Sequence, residues 1–190
     1  MYSLRHATSD LWTQTVINNM DDFLIDHAAA EKKASGMAIS MLSHYPDRTR
    51  LVKAMIDLSI EEMTHFREVV KIMTERGLQL AADEKDPYIN EFRKAMRKGS
   101  EPYFLDRLLT AGIIEARGCE RFGLVGEALP AGQLQDFYRL IAKSEAKHNT
   151  LFIDLAGLYF SENQIAERMD QLLDLEADIV SKLPIRAALH

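Results

Sequence analysis

Cysteine is nearly absent from this chain, and the residues that break helices are scarce. The 190 residues include one cysteine, Cys119, with five prolines and nine glycines. One cysteine cannot form an internal disulfide or by itself build a cysteine-rich zinc or iron–sulfur site, so any bound metal must have oxygen and nitrogen ligands. Because clusters of β-branched residues with two-residue alternation are also absent, the pattern predicts an all-α fold.

Long apolar runs and an excess of positive charge are missing as well. No segment reaches the roughly 20 apolar residues that cross a bilayer, so no membrane association is expected. The first ten residues, MYSLRHATSD, contain no apolar signal-peptide core, and we expect a cytoplasmic protein. The net charge of −6 argues against a general nucleic-acid coat. Local basic clusters are typical of solvated helix faces, and phosphate contact is the alternative role. The densest cluster consists of Arg93, Lys94, Arg97 and Lys98.

Breakers and capping residues divide the chain into helices. The predicted long helices span residues 21–43, 47–75, 103–127, 133–160 and 162–182, and the predicted short ones span 9–19 and 88–97. Asp47 is expected to cap the second long helix, and Gly77 follows its end. Short connections within two helix pairs and one long connection between the pairs are typical of a ferritin-like four-helix bundle. We therefore expect residues 1–190 to form one such domain, with the additional helices flanking the bundle.

Two Glu-x-x-His motifs lie on the second and fourth long helices, as Glu62-x-x-His65 and Glu145-x-x-His148. Residues three apart project from the same helix face, so each carboxylate and imidazole can converge on one metal. Glu61 also has a suitable spacing to His65. The second motif has Ser144 at that position, which favours Glu62 over Glu61 as the ligand.

The other two long helices of the bundle each carry one glutamate on an apolar face. Glu31 precedes Glu62 by 31 residues and Glu115 precedes Glu145 by 30, so the two halves of the chain have a related layout. A carboxylate on an apolar face is costly unless it is paired or binds a cation, and two divalent cations would balance four carboxylates. We predict a binuclear site with six ligands: Glu31, Glu62, His65, Glu115, Glu145 and His148.

Several neighbouring residues are candidates for supporting roles. Glu61 and Ser144 precede the two motif glutamates, and either could hydrogen-bond a ligand imidazole. Cys119 lies one turn after Glu115, where a small polar residue could adjoin the open coordination positions; packing is the alternative. Two roles are left open for His27, a hydrogen bond to a ligand and packing in the core. Arg117, Glu120 and Arg121 are interpreted as an ion-pair network.

Four segments around the predicted ligands resemble the MiaE family of tRNA hydroxylases, and the resemblance spans the chain without a large insertion. The Glu-Lys-Lys and Glu-Ala-Arg-x-Cys-Glu-Arg surroundings are more particular to that family than the ligand pattern, which all di-iron carboxylate proteins share. The segments are Leu24-Ile25-Asp26-His27 running to Glu31-Lys32-Lys33-Ala34, Glu61-Glu62-x-x-His65-Phe66, Ile114-Glu115-Ala116-Arg117-x-Cys119-Glu120-Arg121-Phe122, and Ser144-Glu145-Ala146-x-His148.

The resemblance implies an O2-dependent monooxygenase with two non-haem iron ions. Its substrate would be the isopentenyl group of 2-methylthio-N6-isopentenyladenosine, next to the anticodon, so the partner would be a tRNA anticodon stem-loop. By family analogy, Glu31 and His65 serve one iron, Glu115 and His148 serve the other, and the two remaining ligands bridge. Electrons would come from separate donor proteins, because the chain has neither a Gly-rich dinucleotide loop nor a cysteine cluster. The basic cluster at residues 93–98 then becomes a candidate for phosphate contact.

Two other di-iron functions are alternatives. A ferritin-type ferroxidase site generally lacks the second Glu-x-x-His, so His148 disfavours iron storage. A rubrerythrin-like peroxide reductase would carry a four-cysteine electron-transfer module, which a chain with only Cys119 cannot build.

Overall fold

A computed structural model describes residues 2–190, which form seven helices and, within that range, no β-strand. Met1 lies outside the described residues. The helices are α1 (Asp10–Asn18), α2 (Met20–His44), α3 (Thr49–Glu75), α4 (Pro87–Ala95), α5 (Ser100–Ala128), α6 (Gln133–Gly157) and α7 (Glu162–Lys182). No helix in this described part of the chain is long and apolar enough to span a membrane.

Helix ends match the predicted ones to within about three residues, with two informative differences. Asp47 does not cap α3, because the chain turns from Tyr45 to Arg48 and the helix begins only at Thr49. The predicted helix 103–127 begins directly after Pro102, but α5 begins at Ser100 and includes Pro102 in its first turn, where the missing N–H leaves no helical hydrogen bond unmade. Gly77 does follow the end of α3, with a positive φ of 74°.

The described residues cluster into two compact units. The first, called here the α2–α3 unit, comprises Asn18–Glu84 with Arg186–Leu189. Its two helices pack along buried stripes whose residues recur every three or four positions. The stripe of α2 runs through Leu24, Ala28, Glu31, Ser35, Ala38 and Met41, and that of α3 runs through Leu51, Met55, Leu58, Glu62, Val69 and Met73. A buried glutamate thus interrupts each apolar stripe.

The second unit, the α5–α6 unit, comprises residues 2–17, Lys85–Ile185 and His190. Helix α5 packs against both α6 and α7, and most of its faces are buried. Gly126 allows α5 to approach α6 closely, because a Cβ there would lie 3.3 Å from the backbone nitrogen of Arg139. Ser161 begins α7 with a capping box that includes Gln164.

Candidate metal centre

In the α2–α3 unit, three of the predicted ligands lie together. Glu31 of α2, Glu62 of α3 and His65 of α3 each place one ligand atom within 4.8 Å of the others. His65 Nδ1 lies 3.3 Å from Glu62 Oε2 and 3.6 Å from Glu31 Oε2. Both carboxylates are buried, and the His65 side chain is 12% exposed.

The α5–α6 unit holds the other three predicted ligands in the same arrangement. Ligand atoms of Glu115, Glu145 and His148 also lie within 4.8 Å of one another. His148 Nδ1 lies 3.2 Å from Glu145 Oε2 and 3.7 Å from Glu115 Oε2. Each distance agrees to 0.1 Å with its counterpart in the α2–α3 unit, so the related layout of the two halves extends to side-chain geometry.

The donor set of each triad suits a hard or borderline divalent cation. Two carboxylates and one imidazole offer oxygen and nitrogen atoms, which favour iron or manganese over the metals that prefer thiolates. A Glu on one helix combined with Glu-x-x-His on its neighbour is half of the ligand pattern of ferritin-like di-iron carboxylate proteins. The residues present therefore fit a non-haem iron site.

The α2–α3 triad has shifted protonation equilibria. Burial disfavours the charged form of Glu31, but the imidazoles of His27 and His65 outweigh it and hold the pKa of Glu31 well below its usual range. Burial also disfavours the charged form of His65, yet Glu31 and Glu62 raise the pKa of His65 to about 9. Because histidine binds a metal only when neutral, metal binding at this triad would release a proton.

A hydrogen bond between the paired helices recurs next to each triad. Ser35 lies one turn after Glu31, and its Oγ donates to the carbonyl oxygen of Ser59 at 2.9 Å. Cys119 lies one turn after Glu115, and its Sγ donates to the carbonyl oxygen of Ala142 at 3.3 Å. Each acceptor precedes the motif glutamate by three residues. The sequence reasoning missed Ser35, although its position relative to Glu31 equals that of Cys119 relative to Glu115.

For the remaining candidates for supporting roles, the structure gives the burial of Glu61 and Ser144 and a contact of His27. Glu61 and Ser144 are both half-buried, at equivalent positions on α3 and α6, and their roles stay predictions. His27 is fully buried, and its Nε2 lies 2.6 Å from Glu31 Oε1. This contact agrees with the first role left open for His27, a hydrogen bond to a predicted ligand.

The four basic residues at positions 93–98 are all exposed, but they differ in their contacts. Arg97 is bound by the fully buried Asp106 through its guanidinium and its backbone N–H, and Lys94 pairs with Glu91 at 2.6 Å. Arg93 and Lys98 are exposed at the surface. Arg97 therefore has a structural partner, and phosphate contact by this cluster stays a prediction.

Charged residues of α5 form the ion-pair network that the sequence indicates, with one member that lies far along the chain. Arg117 is fully buried and donates to both carboxylate oxygens of Glu176 of α7, at 2.8 and 3.0 Å. It also contacts Glu120 and donates to the backbone oxygen of His6 at 2.8 Å. Arg121 lies over the Trp12 ring, 4.8 Å from its centroid. Helix α5 is thus fixed to α7 and to the N-terminal segment.

Comparison with known proteins identifies relatives over the full chain. The family model described as tRNA-(MS2IO6A)-hydroxylase (MiaE) matches residues 1–190. A tRNA 2-(methylsulfanyl)-N(6)-isopentenyladenosine(37) hydroxylase from Pseudomonas putida is 31% identical over 173 residues, 91% of this chain and 84% of the relative. The enzyme of the same name from Salmonella typhimurium is 30% identical over 155 residues, 82% of this chain but only 56% of the relative.

A solved structure matches the whole fold. Protein 43 from Synechococcus, with aldehyde deformylating oxygenase activity, superimposes with a TM-score of 0.95 at 32% identity, covering 100% of this chain and 96% of that one. The expectation of an all-α, ferritin-like fold is confirmed. The resemblance stated from the sequence and the expectation of a hydroxylase are confirmed by the family match and by both relatives. The chain belongs to the MiaE family of tRNA hydroxylases.

Proposed function

We propose that this enzyme hydroxylates the isopentenyl group of 2-methylthio-N6-isopentenyladenosine at position 37 of tRNA. The observation that carries the proposal is the pair of matched Glu, Glu, His triads, whose distances agree to 0.1 Å. Triads of this composition suit iron, and the relatives named for this reaction supply the substrate.

The six triad residues are proposed to hold two non-haem iron ions. Iron in such a site supplies the activation of O2. The overall reaction replaces a C–H bond of the substrate by C–OH and consumes O2, two electrons and two protons, with water as the second product. The protein residues bind and orient the metals, and their burial excludes bulk water from the reacting atoms.

The electrons are proposed to come from a separate donor protein. The full sequence has one cysteine, Cys119, which is too few for an iron–sulfur centre. The Cys119 thiol donates to a carbonyl oxygen of α6, and burial followed by the Glu120 charge raises its pKa. A thiol of this kind favours a packing role over redox chemistry.

The substrate base is proposed to enter from a single-stranded tRNA loop. Unpaired bases of a loop can be presented to a protein without opening a duplex. The exposed Arg93 and Lys98 would contribute to binding of the phosphates, in the presence of an overall charge of −6.

A second candidate function is the deformylation of aldehydes. It is favoured by the full-length match at 32% identity to the Synechococcus protein with aldehyde deformylating oxygenase activity. Both candidate functions are oxygenase activities, so the substrate distinguishes them.

The experiment that tests the proposal supplies both substrates to one preparation. Iron-loaded protein is reduced and mixed with O2 and hypomodified tRNA, or with a long-chain aldehyde. Nuclease digestion of the tRNA followed by mass spectrometry should give a nucleoside that is heavier by one oxygen atom. The metal-free protein is the control. Alkane formation without nucleoside hydroxylation would reject the proposal in favour of the second candidate, and hydroxylation by metal-free protein would reject the iron site.

A further inference from the structure

His27 is a buried histidine in contact with a predicted metal ligand, and the sequence leaves its role open between hydrogen bonding and core packing. It lies one turn before Glu31 on α2 and is fully buried. Its Nε2 lies 2.6 Å from Glu31 Oε1, and its ring centroid lies 6.2 Å from that of Phe23. The imidazole thus lies between an aromatic ring and one carboxylate oxygen.

The two oxygens of Glu31 have different neighbours as a result. Oε1 faces His27, whereas Oε2 lies 3.6 Å from the Nδ1 atom of His65. A distance of 2.6 Å between an imidazole nitrogen and a carboxylate oxygen is that of a hydrogen bond, and a carboxylate held by a donor has fewer orientations to lose when it binds a cation.

The α5–α6 unit lacks this contact. The residue four before Glu115 is Ala111, whose methyl side chain cannot donate a hydrogen bond. The triads therefore match in their six ligands but differ in the support given to the first glutamate of each.

We propose that His27 is a positioning residue for the metal site, which fixes Glu31 by donating from Nε2 to Oε1 and leaves Oε2 for the metal. The proposal rests on the proposed function only in that the triads bind metal. It makes the two metal positions unequal, because His27 contacts the first glutamate of the α2–α3 triad, whereas the equivalent position before Glu115 is Ala111. Loss of this kind of supporting hydrogen bond typically lowers metal affinity about 10- to 100-fold.

Titration of metal-free protein with Co2+ tests the proposal. Heat of binding and the visible spectrum of Co2+ are recorded for the unsubstituted protein and for three variants. His27→Phe keeps a ring but has no donor, His27→Asn has an amide too short to reach Glu31, and His27→Gln has one that reaches it. His44→Ala removes an exposed histidine from the same helix and is the matched control.

We expect the unsubstituted protein and His44→Ala to bind two equivalents of Co2+. His27→Phe and His27→Asn should bind one equivalent about 10- to 100-fold more weakly and the other within about twofold of the unsubstituted protein. His27→Gln should recover most of the loss. Circular dichroism identifies any variant that does not fold. Because His27→Phe and His27→Asn both remove the contact with Glu31, the comparison can still be made if one of them fails to fold.

Three results would overturn the inference. They are unchanged Co2+ affinity in both His27→Phe and His27→Asn, equal weakening of both equivalents, and a His27→Gln variant that binds as weakly as His27→Asn. If the unsubstituted protein binds fewer than two equivalents, the proposed two-metal site itself fails. The failure of the inference is therefore distinguishable from that of the function on which it rests.

Discussion

At the scale of single residues, the chemistry depends on carboxylates that are buried where apolar side chains would otherwise pack. Glu31, Glu62, Glu115 and Glu145 are each at most 7% exposed. Burying a carboxylate is unfavourable without a compensating charge or hydrogen bond. In the proposed metal site, a bound cation would offset this cost at all four positions.

Replacement of one ligand should abolish turnover while the helices remain. Glu115→Gln and His148→Ala each remove one donor from the α5–α6 triad, so iron should fall below about two ions per chain. Turnover should fall at least about 100-fold, more than the loss expected for a supporting residue. Iron analysis, circular dichroism and nucleoside analysis check this. A variant that keeps full turnover would remove its residue from the ligand set.

Asp106 gives a pH-dependent prediction at the same scale. It is fully buried, and Arg168 and then Arg97 outweigh burial and lower the pKa of Asp106. Because its folded-state pKa lies below the unfolded value of about 4, the ion pairs contribute stability above that pH. The contribution is lost as the pH falls through the folded-state pKa.

Asp106→Asn should accordingly lower the free energy of unfolding by about 2 kcal/mol at pH 7. The difference from the unsubstituted protein should shrink as the pH falls below about 4. Denaturant unfolding measured from pH 7 to pH 3 checks both statements. A difference that stays constant over this range would show that the charge of Asp106 is unimportant.

At the scale of helices, each triad depends on the register of two neighbouring helices. A slide of one residue would move a motif glutamate about 1.5 Å along its axis and rotate it by about 100°. The bonds from Ser35 to Ser59 and from Cys119 to Ala142 link the helices of each pair close to the ligands. We interpret them as equivalent register contacts in the two units.

Ser35→Ala should therefore lower the free energy of unfolding by about 1 kcal/mol, the usual net contribution of one hydrogen bond. Ser43→Ala on the same helix is the matched control, because its Oγ bonds only to Ile39 of α2 itself. Cys119→Ser should be tolerated, since a hydroxyl can donate to Ala142 in place of the thiol. Urea unfolding of the three variants provides the comparison. Equal effects of the two serine variants would contradict the role in register.

Glu176 is expected to be far more sensitive than exposed acids of the same helix. Glu176→Ala would leave the buried Arg117 without its main counter-charge and should cost about 3–5 kcal/mol. Asp170→Ala removes an exposed partner of Arg5 from α7 and should have little effect. Thermal unfolding with both variants tests this. A small effect of Glu176→Ala would show that Arg117 finds another partner.

At the scale of the whole molecule, an acidic protein must bind a polyanion if it acts on tRNA. With a net charge of −6, general attraction to phosphate is not available, and local cations must supply it. All four members of the densest basic cluster are exposed, but Lys94 pairs with Glu91 and Arg97 is bound by Asp106, so Arg93 and Lys98 are the members to test.

Neutralising Arg93 and Lys98 together to glutamine should weaken tRNA binding at low salt. The slope of log affinity against log salt concentration should fall by about two, one for each lost phosphate contact. Arg67→Gln with Lys71→Gln removes two exposed charges from α3 and is the control. Binding titrations at several salt concentrations check this. An unchanged slope would place the tRNA on another surface.

The sequence predicted the fold class because the signals it depends on are local. Helix periodicity, the breaking residues and the long connection of residues 78–102 indicate an all-α, ferritin-like chain. The cap predicted at Asp47 is wrong because an aspartate in a turn has the same local chemistry as an aspartate that caps a helix. The helix start predicted after Pro102 is wrong because a proline in the first turn of a helix looks, in sequence, like a proline that breaks one. The six triad residues could be named as candidate ligands because Glu-x-x-His occurs twice with an upstream glutamate at nearly equal spacing.

The helical class, the two Glu-x-x-His motifs and the family follow from the amino-acid sequence, because their signals are local. The neighbours of the triad residues follow only from the fold, because those contacts depend on the direction of a side chain and on residues remote in sequence. Histidine at position 27 is compatible with packing or bonding, and only the 2.6 Å contact with Glu31 distinguishes them. Glu176 is 59 residues from Arg117, and helical periodicity carries no information about which distant charge will neutralise a buried arginine.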